Sequence, residues 1–145
     1  RCEHFTRAAV DAGGRVVCGG KRPEGLDKGY FWEPTVLDLP DNKNPAAQEE
    51  IFGPVVGVIG YKDLDHAVEM ANDSKFGLSG WIHGNDKMAS LEVGKRIRSG
   101  AVNINGAVMS SHASGGGFKL SGLGRERGVE GLREFQLQTT FNIGG

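Results

Sequence analysis

"VVGVIGYKDLDHAVEMANDSKFGLSGWIH", residues 55–83, contains the change of hydrophobic period that decides the fold class. Its opening, "VVGVIGY" (55–61), is almost wholly apolar, as a strand covered on both faces of a parallel sheet would be. From Asp63, a residue suited to capping, Leu64, Ala67, Val68 and Ala71 recur at i, i+3, i+4 and i+7, so a helix follows and closes near Gly77. "GWIH" (80–83) returns to strand chemistry. A second helix is predicted from the Asp86 cap to Arg98, despite Gly94, which costs about 1 kcal/mol relative to alanine. "GAVNIN" (100–105) supplies the next strand. Strand, helix, strand, helix, strand in this rhythm predicts an α/β fold, with right-handed crossover helices on a mostly parallel sheet.

The flanks fit the same class. From Arg1 to Ala12, Phe5, Ala8, Ala9 and Ala12 share one helical face, and Gly13-Gly14 supplies a left-handed stop. "RVVC" (15–18) reads as a short strand, and "GKRPEGLDKG" (20–29) is turn chemistry. "YFWEPTVL" (30–37) is aromatic and β-branched, but Pro34 lacks an amide proton, which predicts an edge strand or an interruption. In "QLQTTFNI" (136–143), Leu137, Thr139, Phe141 and Ile143 alternate with polar residues, so an antiparallel or edge strand with one face to cover is expected.

Composition excludes several function classes. The 145 residues could hold one core, and 17 basic against 18 acidic side chains leave a net charge of −1, so nucleic acid and anionic membrane surfaces are not expected partners. No apolar run reaches the roughly 18 residues that span a bilayer. Cys2 and Cys18 are too few for a disulfide framework and lack metal-ligand spacing, which fits a reducing compartment, the cytoplasm. His4, His66, His83 and His112 are scattered, so no metal site is expected. The chain begins at Arg1, inside a helical pattern, which suggests a piece of a longer protein.

"GLGRERG" (122–128) places its third glycine one residue too late for the dinucleotide fingerprint and follows a loop, not a strand. "GFKLSG" lacks the Lys-Ser/Thr pair of a phosphate-binding loop. "QEEIFGPV" (48–55) is more informative, because it sets Glu49 and Glu50 beside Phe52, Gly53 and Pro54 at the mouth of a strand. An ionised carboxylate accepts hydrogen bonds only, and an aromatic ring offers a flat apolar face. The structural alternative puts both glutamates in the solvated first turn of a short helix near Ala46, with Phe52 in the core.

"EEIFGPV", "FGLSGWIHGND", "GAVNING" and "GGFKLSGLGRE" occur in the order and approximate spacing of the C-terminal half of the catalytic domain of NAD(P)-dependent aldehyde dehydrogenases. The chain resembles that family over essentially its whole length. The resemblance implies that residues 1–135 are part of the catalytic domain and that 136–145 form an oligomerisation strand and tail joining a homo-oligomer. It implies NAD or NADP as cofactor and an aldehyde as substrate. Glu50 would bind the nicotinamide-ribose hydroxyls and Phe52 would pack near the nicotinamide, with Glu49 structural and Gly53-Pro54 fixing the turn. Asn105 would border the aldehyde tunnel or, alternatively, only close a strand-end turn.

Gly115 stands where relatives commonly carry an aromatic tunnel wall, which implies a roomier or more mobile site. Gly122, Gly124, Arg125 and Glu126 match the rest of that motif, and an ion-pair role is expected for Arg125 and Glu126. In the family the nucleophilic cysteine, which forms the thiohemiacetal and thioester, and the glutamate base lie upstream of this region. Neither Cys2 nor Cys18 stands in the nucleophile's context, so no catalytic residue is expected in this chain and no activity from it alone. The alternative function is a catalytically inactive nucleotide-binding or assembly fragment.

Overall fold

A computed structural model describes all residues, 1–145, as two compact units, Arg1–Asp73 and Ser74–Gly145. The first unit opens with α1 (Cys2–Asp11), which buries Phe5 and Ala9 one turn apart. It stops at Gly13, whose φ of 86° is the left-handed stop the sequence indicates. A three-stranded sheet follows in the order β1 (Arg15–Cys18), β2 (Thr35–Asp38), β3 (Val55–Val58). β1 and β2 are antiparallel, with a register shift between Val16 and Cys18, whereas β2 and β3 are parallel. Between β2 and β3 lies the short helix α2 (Pro45–Gln48), and α3 (Leu64–Asn72) comes after β3. Asp63 caps α3 as expected, its carboxylate accepting from the His66 amide at 2.8 Å.

Two expectations need correcting in this unit. Pro34 interrupts the predicted strand rather than placing it at an edge: β2 begins one residue later, at Thr35, and is central. The missing amide proton therefore falls outside the ladder, while the Thr35 amide donates to Pro54 O at 2.8 Å. β3 is not covered on both faces. It is an edge strand here, with Val56 54% and Val58 52% exposed.

The core joins α1, β2 and the α2 region through Phe5, Ala9, Leu37, Leu39, Ala46 and Ile51, with Cys2, Val16 and Val55 packed against it. Thr35 and Leu37 of β2 alternate inward with the less buried Val36 and Asp38, the period-two pattern of a strand with one covered face.

In the second unit, β4 (Phe76–Gly77) pairs antiparallel with β7 (Phe118–Lys119). β5 (Ser79–Ile82) pairs parallel with β6 (Ala101–Ile104) across the helix α4 (Lys87–Gly94). Asp86 caps α4 through the amides of Met88 and Ala89. The helix ends at Gly94 rather than Arg98, because glycine weakens the propagating turn. A last helix, α5 (Gly128–Arg133), follows the glycine-rich loop.

The content is mixed α/β, but two of the four strand pairs are antiparallel, so the sheet within this chain is not mostly parallel. The final stretch is neither helix nor strand: residues 136–143 have no ladder partner, and Leu137 and Ile143 are 100% and 95% exposed. It does not close this chain's own core. All seven buried hydrophobic residues of the chain lie in the first unit.

Candidate functional site

The turn at residues 49–54 is built from local caps and one long-range packing contact. Asn44 starts α2: its side-chain oxygen accepts from the Ala46 amide at 3.1 Å and its amide donates to Ala9 O, at the end of α1, at 3.0 Å. Pro45 at the first helical position removes an amide that would have had no helical partner. Glu49 ends the helix in extended backbone, its amide bonded to Pro45 O at 3.2 Å. Neither glutamate occupies the first turn.

The chain then divides its side chains between core and solvent. Ile51 is 8% exposed and belongs to the core, whereas Phe52 is 82% exposed, which overturns the alternative with Phe52 in the core. Phe52 achieves this by adopting φ 54°, a left-handed conformation uncommon for a bulky residue. Gly53 is not left-handed. Its need for glycine is steric, because a Cβ there would collide with Cys2 Sγ on α1.

Glycine thus lets the turn press against α1, and the strained residue is the phenylalanine. Downstream, Val55 N donates to Gly53 O at 2.7 Å and Pro54 O is held by β2. The Arg1 guanidinium holds the carbonyls of Glu50 and Ile51, with Nε at 3.0 and 3.1 Å.

The outcome is an exposed Glu50 whose carboxylate hydrogen-bonds no protein group, two residues from an exposed phenyl ring. An acceptor-only group and a fixed aromatic face fit a diol attached to a flat heterocycle. Beside Phe52 opens a cleft of about 280 Å³, lined by Phe52, Gly53 and Pro54 together with Tyr30, Phe31 and Trp32; Glu50 does not line it. Glu50 and Phe52 are brought together in one turn; Asn105 and Gly115 belong to the second unit.

Asn105 follows β6 with φ 52°, and its side-chain amide grips one peptide group: Oδ1 accepts from Gly84 N at 2.9 Å and Nδ2 donates to Gly84 O at 2.8 Å. Both polar atoms are thereby committed to the loop after β5, not to the residue's own backbone as in the strand-end alternative. Gly115 pairs with Glu126 through reciprocal backbone bonds of 2.7 and 2.8 Å. A Cβ at 115 would meet the Glu126 side chain at an ordinary 3.5 Å, so the position has room for a side chain.

The ion-pair role expected for Arg125 and Glu126 is not what the structure shows. Arg125 Nη1 donates to Gly124 O at 2.7 Å and Gly117 O at 3.2 Å, and its guanidinium sits 5.0 Å from the Phe118 ring centroid, so it holds the loop by satisfying carbonyls. Cys2 and Cys18 are both free thiols. No cluster of three metal-ligating side chains occurs, and no helix is long and apolar enough to cross a membrane. The sequence reading missed the side-chain amides of Asn42, Asn44 and Gln48 around α2; only Asn-Pro at 44–45 carried a local signal, that of a helix start.

Residues 1–141 match the aldehyde dehydrogenase family. A curated relative from Staphylococcus saprophyticus, provisionally named as an aldehyde dehydrogenase, is 49% identical over 87% of this chain, which spans 27% of that relative's length. Among solved structures, a Mycobacterium tuberculosis aldehyde dehydrogenase complexed with NAD+ is 41% identical with a TM-score of 0.90, covering 99% of this chain and 31% of its own. Aldehyde dehydrogenase C of Pseudomonas syringae, a mutant in complex with NAD+ and octanal, is 40% identical with a TM-score of 0.88, over 93% of this chain and 28% of its own. Betaine aldehyde dehydrogenase of Staphylococcus aureus, in complex with NAD+, is 39% identical with a TM-score of 0.87, over 92% and 27%.

Proposed function

The chain belongs to the aldehyde dehydrogenase family, and from that premise we propose that the full-length protein oxidises an aldehyde to a carboxylic acid with NAD, this segment supplying contacts to the cofactor. The observation that carries the reading is the exposed Glu50 carboxylate, free of protein partners, beside the phenyl ring of Phe52 on a turn fixed by the buried Ile51. Glu50 accepts hydrogen bonds from the nicotinamide-ribose hydroxyls, and the Phe52 ring limits the nicotinamide to one orientation. The chemistry supplied by the cofactor is hydride acceptance.

The cysteine thiolate that attacks the aldehyde and the glutamate that activates water are assigned to other parts of the protein, so these 145 residues alone are expected to be inactive. NAD is favoured over NADP by the NAD+ complexes among the similar structures. Asn105 shapes the border of the aldehyde tunnel by locking the Gly84 turn, and the absence of a side chain at Gly115 widens that tunnel. The alternating, uncovered residues 136–143 pair with a second copy of the protein, and the two free cysteines are in keeping with a cytoplasmic location.

Steady-state kinetics of the full-length protein test this reading. Glu50→Gln and Phe52→Ala are each expected to raise the KM for NAD by about tenfold, the loss of roughly one charge-assisted hydrogen bond or one ring contact. Unchanged NAD parameters in both variants would contradict the reading of Glu50 and Phe52 as cofactor contacts, whereas a full-length protein without NAD-dependent aldehyde oxidation would leave the inactive binding or assembly fragment as the better account. At Gly115, Gly115→Phe is expected to narrow the preference toward small aldehydes, and an unchanged ratio of kcat/KM between small and bulky aldehydes would contradict the widened tunnel.

A further inference from the structure

The left-handed Phe52 raises the question of what keeps the turn in a conformation its own residue disfavours. Such strain persists only where the surroundings over-determine it. Downstream, the turn runs directly into the β2–β3 ladder through Pro54 and Val55. Upstream, no ladder exists. The chain reaches Glu50 from α2, a helix of four residues that is too short to be rigid by itself.

Besides the Asn44 amide on Ala9 O and the Arg1 guanidinium on the Glu50 and Ile51 carbonyls, the upstream end is held by the side-chain amides of Asn42 and Gln48, bonded at the C-terminus of α3. Gln48, the last residue of α2, donates through Nε2 to Asp73 O at 2.9 Å and to Asn42 O at 2.7 Å. Asn42 Nδ2 donates to Asp73 O at 2.7 Å, to Met70 O at 3.1 Å and to Asp73 Oδ2 at 3.3 Å. The terminal carbonyls of a helix lack intrahelical donors and carry partial negative charge, so they are strong acceptors for such amides. The Asp73 carbonyl thus takes hydrogen bonds from both side chains at once, joining the loop before α2, the end of α2 and the end of α3 at one oxygen.

We propose that Gln48 and Asn42 are positioning residues for the cofactor, clamping α2 to the C-terminus of α3 so that Glu50 and Phe52 keep their aim. Neither side chain needs to touch the cofactor. The proposal rests on the reading of Glu50 and Phe52 as cofactor contacts. Its chemical requirement is a donor at position 48 that is long enough to reach the Asp73 carbonyl. A carboxylate there would face carbonyl oxygens and Asp73 without a proton to share, and alanine would leave those acceptors to water.

The test is made in the full-length enzyme, with the NAD dissociation constant measured by titration beside the KM values for NAD and for the aldehyde. Gln48→Ala and Gln48→Glu are expected to weaken NAD about fivefold or more while the aldehyde KM stays within about twofold, and Gln48→Lys, which restores a long donor, is expected to recover most of the loss. A general loss of folding would instead lower the melting temperature and the active fraction without splitting the two KM values. Wild-type NAD binding in Gln48→Ala, or equal loss in the Lys and Glu variants, overturns the proposal. Glu50→Gln serves as the reference: if it weakens NAD while Gln48→Ala does not, only the clamp is wrong, and if Glu50→Gln itself has no effect, the cofactor reading fails and the clamp with it.

Discussion

Gly53 and Phe52 divide the work of one turn in a way that sequence does not display. The motif "EEIFGP" made a carboxylate and an aromatic ring legible as neighbours, with Gly53 and Pro54 expected to fix the turn. The structure gives the positive φ to Phe52 and a packing role to Gly53, because Cys2 Sγ occupies the space a Cβ would need. That partner sits on α1, and no local pattern announces it.

A direct consequence concerns stability. Gly53→Ala is expected to cost about 1–3 kcal/mol through overpacking, measured by chemical denaturation of the full-length protein. Adding Cys2→Ala should recover most of that loss, because the Cys2 Cβ would remain 3.8 Å away. Additivity of the two changes would contradict the packing account. Phe52→Asn makes the complementary case. Asparagine tolerates the left-handed region, so this change should stabilise the fold by about 0.5–1 kcal/mol while weakening NAD, and a stability loss would count against strain at this position.

At the scale of elements, what was legible was what depends on nearby residues. Asp63 and Asp86 sit at the starts of α3 and α4 as their spacing to the apolar residues indicated, and Gly13 ends α1. Asp63→Ala should remove about 1 kcal/mol from the stability of the first unit, detectable as faster amide exchange in α3. Strand pairing was not legible in the same way. The antiparallel β1–β2 and β4–β7 pairs depend on partners distant in sequence, and the hydrophobic runs carried no sign of direction.

Gly94 illustrates a propensity that tertiary packing leaves open. It is buried at the end of α4, and an added Cβ would meet Val102 Cγ1 at 3.4 Å and Ile82 Cδ1 at 3.5 Å, both ordinary contacts. Gly94→Ala should therefore stabilise by up to about 1 kcal/mol. A loss of stability would show that the helix cannot come this close to β5 and β6 with a methyl group between them.

For the molecule as a whole, burial is unequally distributed. Every buried hydrophobic side chain lies in residues 1–73, while Leu123, Phe135, Leu137, Phe141 and Ile143 in the second unit face solvent almost completely. Large apolar side chains left this exposed fit surfaces made for further protein. The chain spans 27% of the curated relative it resembles, and the alternation in residues 136–143 indicates a strand because its period is local, whereas in the structure these residues form neither helix nor strand. No segment of this chain pairs with them. Expressed alone, residues 1–145 are expected to self-associate in size-exclusion chromatography and to lack NAD-dependent aldehyde oxidation; a monodisperse monomer would contradict the reading of these surfaces.

The most direct test of the central claim is the distance between the Glu50 carboxylate and the ribose hydroxyls in a crystal structure of the full-length protein bound to NAD. The expected result is two oxygen–oxygen separations of about 2.5–3.0 Å, with the Phe52 ring against the nicotinamide. A cofactor bound with its ribose away from Glu50 would contradict the account.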